Sequence, residues 1–393
     1  MIAWWEKRGR GTRIALISAA LIVVLLAVGA FTQRELIKSL MTGTHFVSTE
    51  AGDANLTLPA GFRADVFASG LSAPRFMTIG PDGALLVTER ASGNIVALRD
   101  PGHTGKATER TVIVSGLEQP TSVDYVDGKL YVGETSRITR FSLDSALKAS
   151  EKTALIPNLP TGGNHTTRTV LVGPDGKLYV AVGSSCNVCN ESDLRRAAVW
   201  VYQPDGSGGR LFSKGLRNAV GLAVNPWNKQ IWATNNGRDL MGDDTPPETV
   251  NALQDGADFG WPRCHAGDVI DPDYGKSGSC DGVAQPLVKM QAHSAPLGLA
   301  FYQGDGFPEQ YRGLFVAFHG SWNRSVPTGY KVVFIPVDGA GKVSGPPQDF
   351  ATGWLVSGSK ALGRPVGLTV GADGALYVSD DTGGRIYRIT YTG

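Results

Sequence analysis

The chain has 393 residues, with 37 lysines and arginines against 36 aspartates and glutamates and a net charge of +1. Such a balance leaves no basic field for nucleic acid, and the length allows a sizeable core in one large domain or two ordinary ones. Fifty-one glycines and 22 prolines beside 42% hydrophobic residues predict many short strands joined by tight turns, not disorder.

The first predicted element is N-terminal. Residues 1–13, "MIAWWEKRGRGTR", form a basic flank, and residues 14–33, "IALISAALIVVLLAVGAFTQ", carry no charge. A run of that length behind a basic flank predicts a transmembrane or signal helix that delivers the rest of the chain to the periplasmic side of the cytoplasmic membrane. The small residues "VGA" before Phe31 offer a cleavage site, but the run exceeds the usual signal length, which favours a retained anchor. Residues 34–58 are expected to be a linker and 59–393 the folded domain.

From there the chain repeats itself. "GLSAPRFMTIGPDGALLVTERASGNIVALRD" (70–100), "GLEQPTSVDYVDGKLYVGETSRITRFSLD" (116–144), "TTRTVLVGPDGKLYVAVG" (166–183), "GLRNAVGLAVNPWNKQIWATNNG" (215–237), "APLGLAFYQGDGFPEQYRGLFVAFHG" (295–320) and "GRPVGLTVGADGALYVSDDTGGRIYRI" (363–389) share one pattern. Each is an alternating apolar strand, a tight turn that is often Asp-Gly, and a second strand. Repetition at about 40–50 residues predicts an all-β fold, a six-bladed β-propeller with little helix. The last repeat shows three strands, and "FRADVFASG" (62–70) is expected to supply its fourth and so close the ring. The insertions over roughly 238–292 are expected to be loops on one face.

Four cysteines, Cys186, Cys189, Cys264 and Cys280, suit an oxidising compartment and are expected to form two disulfides, each stiffening a loop. "CNVCN" lacks the following histidine of a haem-attachment site, and one CxxC falls short of the four ligands of a structural zinc site.

Residues just before each innermost strand should meet at one mouth of the channel. By repeat position these are Arg75, Thr121, His165 to Arg168, Arg217 with Asn218, the stretch around His293, and Arg364. Such a cationic ring suits an anionic ligand, because arginine grips carboxylates through two parallel bonds. In "NNGRDLMGDDTPPETVN" (235–251), Asp239, Asp243, Asp244 and Glu248 are hard oxygen donors suited to calcium, or else a solvated acidic loop.

Several fragments together resemble the soluble-type sugar dehydrogenases that use pyrroloquinoline quinone (PQQ), particularly their sorbosone dehydrogenase-like branch. The fragments are "LPAGFRADVFASGLSAPRFMTIGPDGALLVTERASGNIVAL", "GGNHTTRTVLVGPDGKLYVAVG", "GLRNAVGLAVNP", "ETVNALQDGADFGWP" and "GRPVGLTVGADGALYVSDDTGGRIYRI". The resemblance implies a six-bladed propeller with the quinone across the channel mouth, its three carboxylates held by arginine and lysine, and a calcium ion. It makes His165 the general base, which suits an imidazole with a pKa near the working pH. Arg217 and Asn218 become the pair beside the reacting quinone carbonyl, and Arg364 a cofactor-binding arginine. Calcium is implied to rest largely on backbone carbonyls of 243–245. The chain departs from the pattern at Val366, where a second arginine is usual, at Asn164, where aspartate precedes the base, and near Ser185, where a glutamine is expected. In the fifth repeat, "HGSWNRSVPTGYK" replaces a shorter lysine loop, so Arg324 or Lys331 is expected to supply the missing cation. Trp322 is expected either to stack on a planar ring or to pack between blades.

The implied reaction is oxidation of a hydroxyl or hydrated aldehyde of a sugar, with electrons leaving to a quinone pool or a separate cytochrome. A calcium-dependent lactonase or other hydrolase would instead need carboxylates and amides deep in the channel, where these repeats carry arginine and histidine. A non-catalytic binding propeller is the third reading, since fold alone does not fix function.

Overall fold

The computed structural model describes residues 45–46, 56–276 and 278–393. The predicted transmembrane or signal helix at 14–33 lies outside them, and among the described residues no helix is long and apolar enough to cross a membrane.

Six sheets follow one another along the chain. Blade 1 is built from Pro74–Ile79, Leu85–Glu89, Asn94–Arg99 and Glu109–Val114, paired antiparallel in that order, as its repeat predicts. Blades 2 and 3 begin with Ser122–Val126 and Arg168–Val172, blades 4 and 5 with Ala219–Val224 and Pro296–Tyr302, and blade 6 with Pro365–Val370. Each is four-stranded except blade 3, to which Ala257–Asp258 adds a fifth, parallel strand. The six first strands contact one another in sequence, and the last returns to the first. This is a closed six-bladed propeller. Its seam lies in blade 6, where Phe62–Ala68 pairs antiparallel with Arg385–Tyr391.

Local chemistry explains the repeat. In blade 2 the hairpin turn places Asp127 and Gly128 at φ of 49° and 74°, the left-handed pair that a two-residue turn between twisted strands requires. Gly221, Gly298 and Gly367 stand at equivalent points of three inner strands. A Cβ on any of them would strike a carbonyl of the next blade, Leu297 O, Val366 O or Arg75 O respectively. Hydroxyls then tie the blades: Thr88 donates to Thr121 O at 3.1 Å, Thr234 to Leu297 O at 2.7 Å and Ser379 to Arg75 O at 2.5 Å. The larger apolar clusters lie between blades, as where Trp232 and Val250 of blade 4 pack with Leu314 and Val316 of blade 5.

The segment 238–292 is not all loop. Glu248–Ala252 and Val288–Met290 are the third and fourth strands of blade 4, so the excursion begins after Ala252. It carries the disulfide Cys264–Cys280 and a short hairpin, Cys264–His265 with Val269–Ile270. The other disulfide, Cys186–Cys189, closes the loop after the second strand of blade 3.

Candidate active site

The channel is plugged just below one mouth. Phe76, Val220, Leu297 and Val366, each the third or second residue of its inner strand, pack against one another from four blades. Val366 therefore serves the apolar floor and is fully buried, where the family pattern would place an arginine. Directly above that floor stand Arg75, Asn218 and Arg364, one step earlier in their strands or at their entrances.

The predicted base sits on a rigid loop. Arg168 spends its guanidinium on carbonyls of its own approach, at Pro160, His165 (3.2 Å) and Thr167 (2.6 Å). Arg196 does the same at Thr161 and Gly162 (2.7 and 2.9 Å). Arg168 is thus a loop pin and not one of the ligand-facing cations that its repeat position suggests. On this platform His165 Nδ1 lies 2.9 Å from Ser184 O and 3.0 Å from Ser184 Oγ. A carbonyl can only accept, so Nδ1 carries the proton and Nε2 is left with its lone pair, without a protein partner among the described residues. Burial, then the Arg217 guanidinium and more weakly Arg196 and Arg168, pull the imidazole pKa down to about 3, against the Ser184 bond that raises it. The expectation of a pKa near working pH is not met, because burial is the largest influence on the imidazole and Arg217 acts in the same direction.

Arg217 and Asn218 lie beside it. Gly183 touches both Asn218 and His165, and a Cβ there would collide with each. Arg217 donates to Asn187 O (2.9 Å), Asn187 Oδ1 (3.0 Å) and Asp239 Oδ2 (2.6 Å), and its Nη1 has no partner among the described residues. Asn218 Oδ1 is buried and accepts nothing. An orphaned acceptor of this kind costs about 1–3 kcal/mol until a donor meets it.

Across the mouth a second cluster joins blades 5, 6 and 1. Arg364 donates to the carbonyls of His319 (2.9 Å) and Gly320 (2.6 Å) and lies over the Tyr330 ring, 5.4 Å from its centroid. Arg75 pairs with Asp381 at 2.6 Å, and His319 Nε2 lies 3.1 Å from both oxygens of that carboxylate. Burial would raise the Asp381 pKa, but His319 and Arg75 outweigh it and hold the group well below the usual carboxylate range. Burial and then Arg364 pull His319 to about 4, with Asp381 opposing. Arg90 reaches Gln119 (2.9 Å) and Thr166 Oγ1 (3.1 Å), which links this cluster to the His165 loop. Burial lowers the pKa of both Arg90 and Arg364, with Asp381 opposing in each case.

Arg90, His319 and Asp381 escaped the sequence reading. The signal was present: "VTER", "AFHG" and "VSDD" place a polar residue where each second strand ends, at the same mouth.

Other expected ligands are elsewhere. Lys331 opens the third strand of blade 5 and pairs with Asp349 at 2.6 Å, which keeps it on the outer part of the sheet. Arg324 clamps the acidic loop: it donates to Asp243 O and, at 2.9 Å, to Asp244 Oδ1, while Ser325 N donates to Asp243 Oδ1 at 2.9 Å. Trp322 is 49% exposed, so it does not pack between blades, and no ring stacks on it among the described residues.

The carboxylates of Asp243, Asp244 and Glu248 do not converge on one point in this structure. Glu248 belongs to a strand, where it accepts from Gly237 N (2.6 Å) and Ala295 N (3.3 Å), and burial raises its pKa to about 7. The carbonyls of Gly242 and Asp243 are taken by His293 and Arg324. Among the described residues, the one group of three His, Cys, Asp or Glu with converging ligand atoms is Cys186, Cys189 and Glu191, and its sulfurs are joined to each other. For the quinone the donor set does fit: Arg75, Arg90, Arg217 and Arg364 are four guanidinium groups suited to a polycarboxylate, and the Nε–H groups of Arg75 and Arg90 have no partner among the described residues.

The TrAA12-like family model matches residues 56–273 and 269–392. The chain belongs to the TrAA12-like family. Within that frame it is 28% identical over 404 residues to the pyrroloquinoline quinone-dependent pyranose dehydrogenase of Coprinopsis cinerea, covering 84% of this chain and 54% of that protein. The chain therefore spans about half the length of that relative. The holo form of the PQQ domain of the Coprinopsis cinerea enzyme superposes with a TM-score of 0.76 at 24% identity, over 88% of this chain and 99% of that one. A calcium structure of the Trichoderma reesei family AA12 enzyme gives 0.74 at 21% identity, over 88% and 100%. Both confirm the propeller of this TrAA12-like protein.

Proposed function

We propose that this TrAA12-like propeller oxidises a hydroxyl or hydrated aldehyde of a sugar, with pyrroloquinoline quinone bound at the mouth as the electron acceptor. The state of His165 carries the reading: a neutral imidazole, oriented through Nδ1, leaves Nε2 without a partner among the described residues, beside Arg217 and Asn218. The named relatives and the holo Coprinopsis cinerea domain support the same chemistry.

When bound, the quinone supplies a carbonyl able to accept hydride. This chain's part is to hold and move charge. Arg364, Arg75 and Arg90 bind the anionic edge of the cofactor. His165 accepts the substrate hydroxyl proton at Nε2 while the adjacent C–H is oxidised. Arg217 faces the negative charge that develops, and Asn218 helps to orient the reacting groups. Calcium is supported by the Trichoderma reesei structure; the carboxylates of Asp243, Asp244 and Glu248 do not converge here, and no step depends on the ion.

The propeller is proposed to work on the periplasmic side of the membrane, with 14–33 as anchor or export signal and a quinone pool or separate cytochrome as acceptor. Its two disulfides support that compartment. The test is reconstitution: purified protein with PQQ and calcium should bind the quinone spectrally and reduce a dye with at least one aldose. No binding and no turnover on any sugar would overturn the reading.

A further inference from the structure

The loop closed by Cys186–Cys189 touches both reacting side chains. Ser184 at its start accepts from His165 Nδ1 (2.9 Å), and Ser185 O accepts from Asn164 N (2.8 Å), the residue before the base. Ser184 Oγ in turn donates to Cys186 O at 2.6 Å. Between the bridged cysteines, Asn187 serves Arg217 twice, through its carbonyl (2.9 Å) and its Oδ1 (3.0 Å). The same amide accepts from Asp239 N (2.8 Å) and donates to Asp239 O (3.0 Å). It thereby also places the carboxylate that lies 2.6 Å from Arg217 Nη2. Trp261 Nε1 donates to Asn187 O at 3.3 Å and closes the cage from the excursion after blade 4.

We propose that Asn187 is a positioning residue for the oxidation, held in register by the Cys186–Cys189 disulfide so that Arg217 and its partner Asp239 face the reacting centre. This rests on the proposed function. Physically, a guanidinium on a three-carbon stem has many rotamers, and two acceptors on one rigid residue select a single one. The side chain is the part that a substitution removes. The bridge is what keeps the carbonyl of residue 187 pointed at Arg217.

The test uses the full-length protein as wild type, Asn187→Ala, Asn187→Asp and Cys186→Ser/Cys189→Ser. Two measurements are made: kcat and KM on an aldose with PQQ loaded, and the exchange rate of the Arg217 Nε–H by 15N NMR in protein without cofactor. Asn187→Ala is expected to lower kcat about tenfold or more while KM moves less than about threefold, because charge-assisted bonds that orient a cation act on the transition state. Arg217 Nε–H exchange should quicken by about tenfold in the same variant. The double serine variant should do at least as much on both readouts. Asn187→Asp keeps an acceptor for Arg217 and for Asp239 N–H but loses the donor to Asp239 O, so its Arg217 Nε–H exchange should stay closer to wild type than that of Asn187→Ala. Wild-type kcat in Asn187→Ala overturns the proposal. So does a fall in kcat with unchanged Arg217 exchange, or Arg217 exchange in Asn187→Asp as fast as in Asn187→Ala. If no form oxidises any sugar, the proposed function fails, and the exchange rates still decide whether Asn187 holds Arg217.

Discussion

His165 gives its Nδ1 proton to a backbone carbonyl, whereas His319 gives its Nε2 proton to the Asp381 carboxylate. Both imidazoles are neutral in the ligand-free mouth, at about 3 and about 4, and both are pressed there by burial and an adjacent arginine. The difference lies in the partner. A carbonyl fixes orientation without adding a negative charge, so the Ser184 bond does little to offset burial and the Arg217 guanidinium at His165. Asp381 already balances Arg75 beside His319, and that cluster can bind an anion without itself changing protonation. In the proposed reaction, one side of the mouth transfers a proton and the other holds charge still.

Substitutions that separate the two sides test this division. His165→Ala should lower turnover about 10²–10⁴-fold, the range for loss of a general base, with quinone binding retained. His319→Ala should leave turnover far less affected; an equal loss in steady-state assays would end the distinction. Arg364→Ala should weaken quinone binding about 10–100-fold, the worth of one charge-assisted bond or two, measured by absorbance titration. A smaller effect is expected in acid stability. His165 and His319 both have folded pKa values below the unfolded value of 6.5, so unfolded protein binds more protons between about 4 and 6.5. The stability they contribute is present above pH 6.5 and lost as pH falls, at up to about 1.4 kcal/mol per pH unit for each. Glu248, raised to about 7, acts in the opposite sense, contributing stability below its unfolded pKa that is lost as pH rises. Thermal melts of His165→Ala should accordingly flatten with pH below 6.5, and an unchanged slope would show that His165 titrates freely.

The repeat made the ring legible, and with it His165, Arg217, Asn218 and Arg364, because position within a blade fixes which end of the channel a residue occupies. Glycines of the inner strands and hydroxyls of the second strands follow from the same periodicity. Loop chemistry was not readable in that way. Arg324 and Asp243 meet across 81 residues of sequence, and nothing local announces that a guanidinium will claim a carbonyl expected to serve a metal. Glu248 looked like part of an acidic loop, but it alternates into a strand and faces inward. Lys331 likewise turned out to begin a strand whose outer neighbour carries Asp349. Where a segment pairs with a distant one, side-chain direction is set by that pairing and not by composition.

The seam of blade 6 brings Phe62 opposite Tyr391, so the beginning and end of the ring are neighbours. A short peptide joining them, with the backbone reopened at the exposed Asp127-Gly128 turn, would yield a circular permutant whose blades meet in the same cyclic order. Such a molecule should present an unaltered mouth, since the circle has no preferred starting point once its two ends are fused.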